Sequence, residues 1–484
     1  MDIELTRKQV GLGAVVVFLP FLLHLLGVDW LMTINVALIA VLVCVCVKDI
    51  RKNIFFFFFL ASFFVFLMSG DIAESIFHQY YWIRFGEEET RHSRIAIMIC
   101  LVFMLIGFLT TKTKSAPVRK LGESGTDRKI YEIQTASKVI YYITYSVMLF
   151  NTLDVVLYVA RYGYVEYYLS YTPSLPAIIA KIGSLCGISL CIFLATMPSS
   201  KSARIPMILY AMNTVLGLLK GSRGSLVYSS VFLLGYLIYR NGTDKGKDVW
   251  IKKSVLILMC ISVPFFLAFL FIWEYIRSDI DFTFTSIGDY IVKFFVNIGS
   301  SSQVIKTGYK YREQIPNFRF FSLGTVLNYF KFGRIFNLFN LSAIPAAHSA
   351  EFALEGYSFE NYLTYIVNPS DYLAGHGIGG SFIAPLYADF GYIGIALGSF
   401  IYGWLFKKIS ELNPSSWLTS GMKLYIIATL LKAPRGPFDG FLADIINLDF
   451  WITVFMIAFI ALKFVDSQKY SSGTAAARKP KAGT

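Results

Sequence analysis

The sequence predicts an all-α, polytopic integral membrane protein with about twelve transmembrane helices and one large ordered outer loop. Two observations predict it. Of the 484 residues, 56% are hydrophobic and only 15% charged, against about 25% charged in a soluble domain. Apolar stretches of about 17–25 residues, the length that crosses a hydrocarbon core, recur from end to end. A formal net charge of +13 would suggest nucleic acid in a soluble chain. Lys and Arg retained in cytoplasmic loops explain it here, and no nucleic-acid partner is expected.

The expected spans lie near residues 9–27, 31–47, 54–69, 94–111, 138–158, 176–197, 204–219, 224–239, 254–273, 382–406, 421–433 and 441–463. The opening "MDIELTRKQV" leads into an apolar run longer than a signal-peptide core, so the first span is expected to act as an uncleaved signal. The run "FFFFFL" at 55–60 reads as a lipid-facing or packing surface. Cys44, Cys46, Cys100, Cys186, Cys191 and Cys260 fall inside apolar spans and read as packing residues, not as disulfides or metal ligands.

Sidedness follows from the connectors. "KDIRKN", "TKTKSAPVRKLGESGTDRK", "SSKSAR", "YRNGTDKGKDVWIKK" and "FKKISELN" are short, basic and recur after every second span, as a cytoplasmic set does. Both termini then fall on the cytoplasmic side. The outer connectors are acidic to mixed ("DIAESIFHQYYWIRFGEEETRHS") or aromatic ("RYGYVEYYLSYTPSLP"). The chain thus divides into nine helices (1–273), a long outer loop (274–381), three further helices (382–463) and a low-complexity cytoplasmic tail (464–484). A loop so much longer than the usual connector of about 4–6 residues is usually functional. Within it, "IGDYIVKFFVNIGSS" and "TVLNYFKFGRIFNLFNL" have the character of interfacial helices, packed over the bundle or touching a lipid substrate.

Two Lys-x-x-Arg pairs break the charge rule. Lys220 and Arg223 in "LLKGSRGSL", and Lys432 and Arg435 in "LLKAPRGPF", land on the outer face. Snorkelling to water is the bland reading; recurrence at equivalent ends of two spans argues for a site. Asp154, Lys181, Asp389, Asp444 and Asp449 fall at similar depth, with Asp154 and Lys181 expected to pair as structural counter-ions. Together they outline a charged cavity, which inside a membrane is a functional site by default. Guanidinium forks match phosphate oxygens, and the neighbouring glycines leave backbone amides open to an anion. A phosphate-bearing lipid headgroup fits best, specifically a polyprenyl pyrophosphate that carries a sugar.

Three features resemble the bacterial oligosaccharide repeat-unit polymerases of the Wzy type: "KGSRGSL", the long outer loop, and "GHGIGGSFIAPLYADFGYIGIALGSFIYG". The last is similar to the family's Gly-Gly-Ser, Tyr-x-x-Phe-Gly, Gly pattern at Gly379, Gly380, Ser381, Tyr387, Phe390, Gly391 and Gly394. The resemblance covers roughly residues 204–440. It implies a fold like the metal-independent lipid-linked glycosyltransferases, with the long loop in the periplasm and the chain in the bacterial inner membrane. It also implies undecaprenyl-pyrophosphate-linked oligosaccharides as donor and acceptor, membrane lipid as surroundings, a chain-length regulator protein as a further partner, and no cofactor. Arg223 and Arg435 carry over as pyrophosphate binders, with Arg277 in "WEYIRSD" as a looser match.

Pyrophosphate is already a good leaving group, so the chemistry needs cations for its developing charge and a base for the acceptor hydroxyl. The loop offers His348 and Glu351 in "AAHSAEFALEGY" and His376 in "GHGIGG". On a helix, His348 and Glu351 would share a face at i,i+3. A metal-dependent alternative would need early paired carboxylates; the close pair there, Asp71 and Glu74, reads as solvated. A related ligase and a lipid-linked oligosaccharide flippase or exporter are the rival readings. The absence of a visible internal repeat weighs against a transporter of duplicated halves.

Overall fold

In the computed structural model, residues 16, 18–78, 84–112, 125–221, 223–243, 249–278, 286–317, 319–333 and 345–477 are described. Their regular structure is helical, and no strand occurs among them. Eight helices among the described residues are long and apolar enough to cross a membrane, nine if the bent pair Gly440–Ile446 and Leu448–Lys463 counts as one span. Three of the twelve expected spans are not among them, each for an identifiable reason. The first part of the expected span 9–27 lies outside the described residues. Arg223–Thr243 is helical but does not pass as a span, its sequence carrying Ser, Tyr, Arg and Asn among the apolar residues. Trp417–Lys432 has only 16 residues, about 24 Å of helix at 1.5 Å per residue, short of a core of about 30 Å.

The helices wear their apolar side chains outward. Ile257, Leu258, Ile261 and Phe265 on Lys253–Ser278 are exposed, as are Ile205 and Ile208 on Ser200–Leu219 and Phe455 on Leu448–Ala477. Apolar belts of this kind are unfavourable in water and natural against lipid. The six cysteines are free thiols.

The chain forms two compact units. One comprises Met1–Thr113, Leu234–Ser410 and Ile427–Ala443; the other comprises Lys114–Leu233, Glu411–Ile426 and Asp444–Thr484. In the second unit the long helix Gly125–Tyr162 packs Ile133, Ala136 and Ile140 against Ile188, Ile192, Phe450 and Ile457. The Tyr141 hydroxyl, buried on the same helix, donates to the Pro206 carbonyl at 2.7 Å.

The first unit is built around Ile50–Leu67, Glu87–Thr110 and Ile383–Ile409. The phenylalanine run resolves as packing: Phe55, Phe56 and Phe59 are buried. The Phe56 ring stacks between Phe108 at 4.8 Å and Phe406 at 5.0 Å, while Phe59 meets Phe406 at 4.7 Å. Glycines let the other two helices touch backbone to backbone. A Cβ on Gly107 would strike the Phe400 carbonyl, and one on Gly403 the Met104 carbonyl, the small-residue device of membrane helix pairs.

These two helices run side by side with matched ends. At one end Lys408 Nζ donates to the Lys112 carbonyl at 3.1 Å, so two connectors read as cytoplasmic adjoin. At the other, His92 Nδ1 and the Tyr392 hydroxyl share a hydrogen bond at 2.9 Å. The long loop is tied down at that second end. Asp389 is buried and accepts from the backbone N–H groups of Phe321 at 3.0 Å and Ser322 at 2.6 Å. Asp439, fully buried, accepts from the Val326 N–H at 2.8 Å. Two late carboxylates, one on a helix and one in the turn before Gly440–Ile446, thus pin residues 321–326.

Candidate functional site

Two stretches far apart in sequence meet in the first unit. The Trp417–Lys432 helix ends in a 3-10 turn, Ala433–Arg435, forced by Pro434. The Ala433 carbonyl accepts from the Phe382 N–H at 3.3 Å, which seats the Gly379–Gly380–Ser381 segment beside that turn. Gly380 has no room for a side chain: a Cβ there would lie 3.0 Å from the Arg435 carbonyl and 3.0 Å from Glu360 Oε1. Gly379 has φ +89°, which favours glycine. The Gly-Gly-Ser and Lys-x-x-Arg signals are therefore parts of one construction.

Its cations face outward. Lys432 and Arg435 are both exposed, and the Arg435 guanidinium lies 5.7 Å over the Phe66 ring. Its carboxylates face inward. Glu360, in the first turn of Phe359–Val367, accepts from the Ser358 hydroxyl at 3.1 Å through Oε2, while Oε1 is sealed from solvent without a hydrogen-bond partner. Burial first, then the charge of Asp439, raises the Glu360 pKa above the usual carboxylate range. Burial raises that of Asp439 as well, against the N–H groups it accepts from, and its Oδ1 is also unpartnered. Beside them a cavity of about 270 Å³ is lined by Glu360, Ser358, Tyr357, Asn328, Gly324 and Pro437. The arrangement can hold an anion at its exposed cations and keep a strengthened proton acceptor at the wall of a small cavity.

Other expected site residues fall elsewhere. Lys220 and Arg223 belong to the second unit. Lys220 caps Ser200–Leu219 and is half-buried, and burial lowers its pKa. Arg277 falls in the last turn of Lys253–Ser278, outside the residues whose side chains are described. His348 and Glu351 do not share a helical face. Ser349 caps the helix Ala350–Glu355 by accepting from the Phe352 N–H at 3.1 Å, so His348 lies before the helix, at φ +60°. The exposed His348 ring rests 5.2 Å from that of buried Tyr372, and Glu351 is exposed. His376 is exposed in the following loop, its N–H donating to the Asp371 carbonyl at 2.9 Å.

Two charge readings are corrected. Asp154 does not pair with Lys181; it accepts from the Tyr171 hydroxyl at 2.8 Å and from Ser174 N and Oγ at 3.0 and 2.7 Å. Lys181 instead meets Asp449 at 2.6 Å. Nor is Asp71 solvated. It is buried in a 2.8 Å ion pair with Lys306, itself buried, and it accepts from Ser302 Oγ at 3.1 Å. Gly70 and Gly299, where an added Cβ would collide, bring the two segments together. No group of three or more His, Cys, Asp or Glu that could hold a metal ion occurs among the described residues.

A family model described as O-antigen polysaccharide polymerase Wzy matches residues 13–467. The chain belongs to that family. No curated protein and no solved structure matches it. As a Wzy-family member it is a multi-pass membrane protein of polysaccharide biosynthesis, in a family of polymerases that act on lipid-linked oligosaccharide repeat units. The match takes in the first five expected spans, where the sequence signals had offered only hydropathy. Reasoning from sequence missed Glu360, Asp439 and Lys306 in this Wzy chain. Asp439 lies four residues after Arg435 in the stretch that drew attention; Glu360 and Lys306 carry no local signal.

Proposed function

We propose that this Wzy-family chain polymerises undecaprenyl-pyrophosphate-linked repeat units at the outer face of the bacterial inner membrane, without a metal. The observation that carries the reading is the meeting of Gly380, Arg435 and Glu360 in one construction. Arg435, with Lys432, holds the pyrophosphate and stabilises the charge that develops as the anomeric carbon–oxygen bond breaks. The acceptor hydroxyl attacks that carbon, and its proton passes to Glu360, which burial makes a stronger base than an ordinary carboxylate. The products are the lengthened lipid-linked glycan and free undecaprenyl pyrophosphate. Lys220 and Arg223 serve as a second pyrophosphate-binding pair in this scheme, and Arg277 as a further phosphate contact. A chain-length regulator acts on the assembled enzyme, and both termini are cytoplasmic.

The test uses purified full-length protein in lipid nanodiscs, with lipid-linked repeat units drawn from a strain lacking it. A ladder of lengthened glycans in excess chelator is expected. A ladder that forms only with added divalent metal overturns the metal-free scheme. In cells, deletion should leave single capped repeats. Loss of all transferred glycan instead indicates a ligase or a flippase.

A further inference from the structure

A second cavity in the first unit, of about 340 Å³, lies where Glu87–Thr110 and Ile383–Ile409 begin. Its wall is aromatic. The buried His92 ring stacks on Tyr309 at 4.1 Å and is met edge-on by Tyr387 at 4.3 Å. Tyr392, outside the lining, backs the group from 5.1 Å behind Tyr387. At the exposed rim the Arg312 guanidinium lies 4.3 Å over the Tyr309 ring, and exposed Asn317 also lines the cavity. Glu88 accepts from the Tyr309 hydroxyl at 2.6 Å.

A packing knot that merely joins two helices would account for stacked rings. It does not account for two further features. His92 Nε2, on a residue only 3% exposed, has no hydrogen-bond partner although the residue lines the cavity. A buried polar atom left unpaired is costly unless something occasional completes it. The helix also breaks at Gly391, with φ 62° and ψ −150°, a conformation that only glycine adopts without strain. The break lies in the cavity wall, between Tyr387 and Tyr392. The cavity lies at the small end of the usual range for ligand sites, about 300–1,000 Å³. That is too little for a polyprenyl chain and apt for one or two sugar rings.

We propose that this cavity, walled by His92, Tyr309 and Tyr387 and rimmed by Arg312 and Asn317, is a saccharide subsite that holds a sugar ring of the repeat unit. It rests on the polymerase reading for the identity of that sugar. A pyranose has an apolar C–H face that packs on an aromatic ring, and a rim of hydroxyls that suits the guanidinium, the amide and the unpartnered imidazole nitrogen.

The experiment separates this site from the chemistry. The repeat-unit oligosaccharide, released from its lipid carrier by mild acid, is titrated onto the full-length protein in nanodiscs and followed by saturation-transfer NMR. Wild type should bind it, and Tyr387→Leu should weaken binding by about tenfold, the loss of one good aromatic contact. In the polymerisation assay the same change should raise KM about as much with kcat within about twofold. If Tyr387→Leu does not fold, Arg312→Gln and Asn317→Ala at the exposed rim carry the test, each expected to weaken binding by about threefold or more. Wild-type affinity in all folded variants overturns the subsite, as does a polymerising wild type that gives no signal with the oligosaccharide. A wild type that binds the sugar but makes no polymer sinks the polymerase reading and leaves the subsite standing.

Discussion

Glu360 and His348 make opposite offers as the proton acceptor. His348 is an exposed ring on a loop before a helix, while Glu360 keeps one oxygen sealed and unpartnered beside Gly380. Glu360→Gln should slow polymerisation by about a hundredfold or more, the usual weight of a positioned base. His348→Ala should cost less than about tenfold; the reverse ranking in single-turnover assays returns the role to the histidine. The pH dependence has a definite sign. A base works ionised, and Glu360 holds its proton above the ordinary 4.5, so the acid limb of kcat/KM should lie above that of an ordinary carboxylate. Asp439→Asn removes a negative neighbour and should move the limb to lower pH. Stability runs the other way: with folded pKa values raised, these two groups lose stabilisation as pH rises from the unfolded values through the folded ones. Arg435→Ala should abolish polymer at normal protein abundance, and Lys should rescue it only in part, since a point charge lacks the bidentate fork. Wild-type chain lengths in the alanine variant would reduce Arg435 to a snorkelling residue.

At the scale of elements, what could be read in advance was whatever repeats locally. Apolar runs betrayed most spans, and "GGS" and "KAPRG" announced themselves by residue type. What was lost lay in contacts between distant segments. Asp71 reads as solvated because its near neighbours are polar, and its partner Lys306 comes 235 residues later. His348 reads as helical from its spacing to Glu351, although Ser349 between them is a good N-cap and the helix starts there. Arg223–Thr243 shows how a helix can be present without being apolar enough to count as a span. The glycine seam also makes a prediction. Gly403→Val places two methyl groups where the Met104 carbonyl lies, so it should force the two helices apart. We expect a lower thermal unfolding midpoint and shortened glycans; an unchanged midpoint would mean the seam is looser than drawn.

For the whole molecule, sidedness is the property on which the scheme depends. In a cysteine-free background, single cysteines at Lys52 or Lys112 should resist a membrane-impermeant thiol reagent in intact cells, while those at Glu88 or Lys310 should react. The pairs lie at opposite ends of the helices of the first unit. Labelling of the first pair would invert the protein and move its cations to the cytoplasm.

The Asp71–Lys306 pair also gives the molecule a history. Ribosomes deliver Asp71 early and its counter-ion 235 residues afterwards. Throughout that interval a carboxylate destined for burial lacks the Lys306 ammonium it pairs with. Burying one charge without the other costs about 3–5 kcal/mol, so the nascent segment stays open to water, or protonated, until Lys306 arrives. Fragments ending before Lys306 should therefore be cleaved faster by protease than the full chain, and Lys306→Met should share that sensitivity; equal cleavage rates would mean the pair closes nothing.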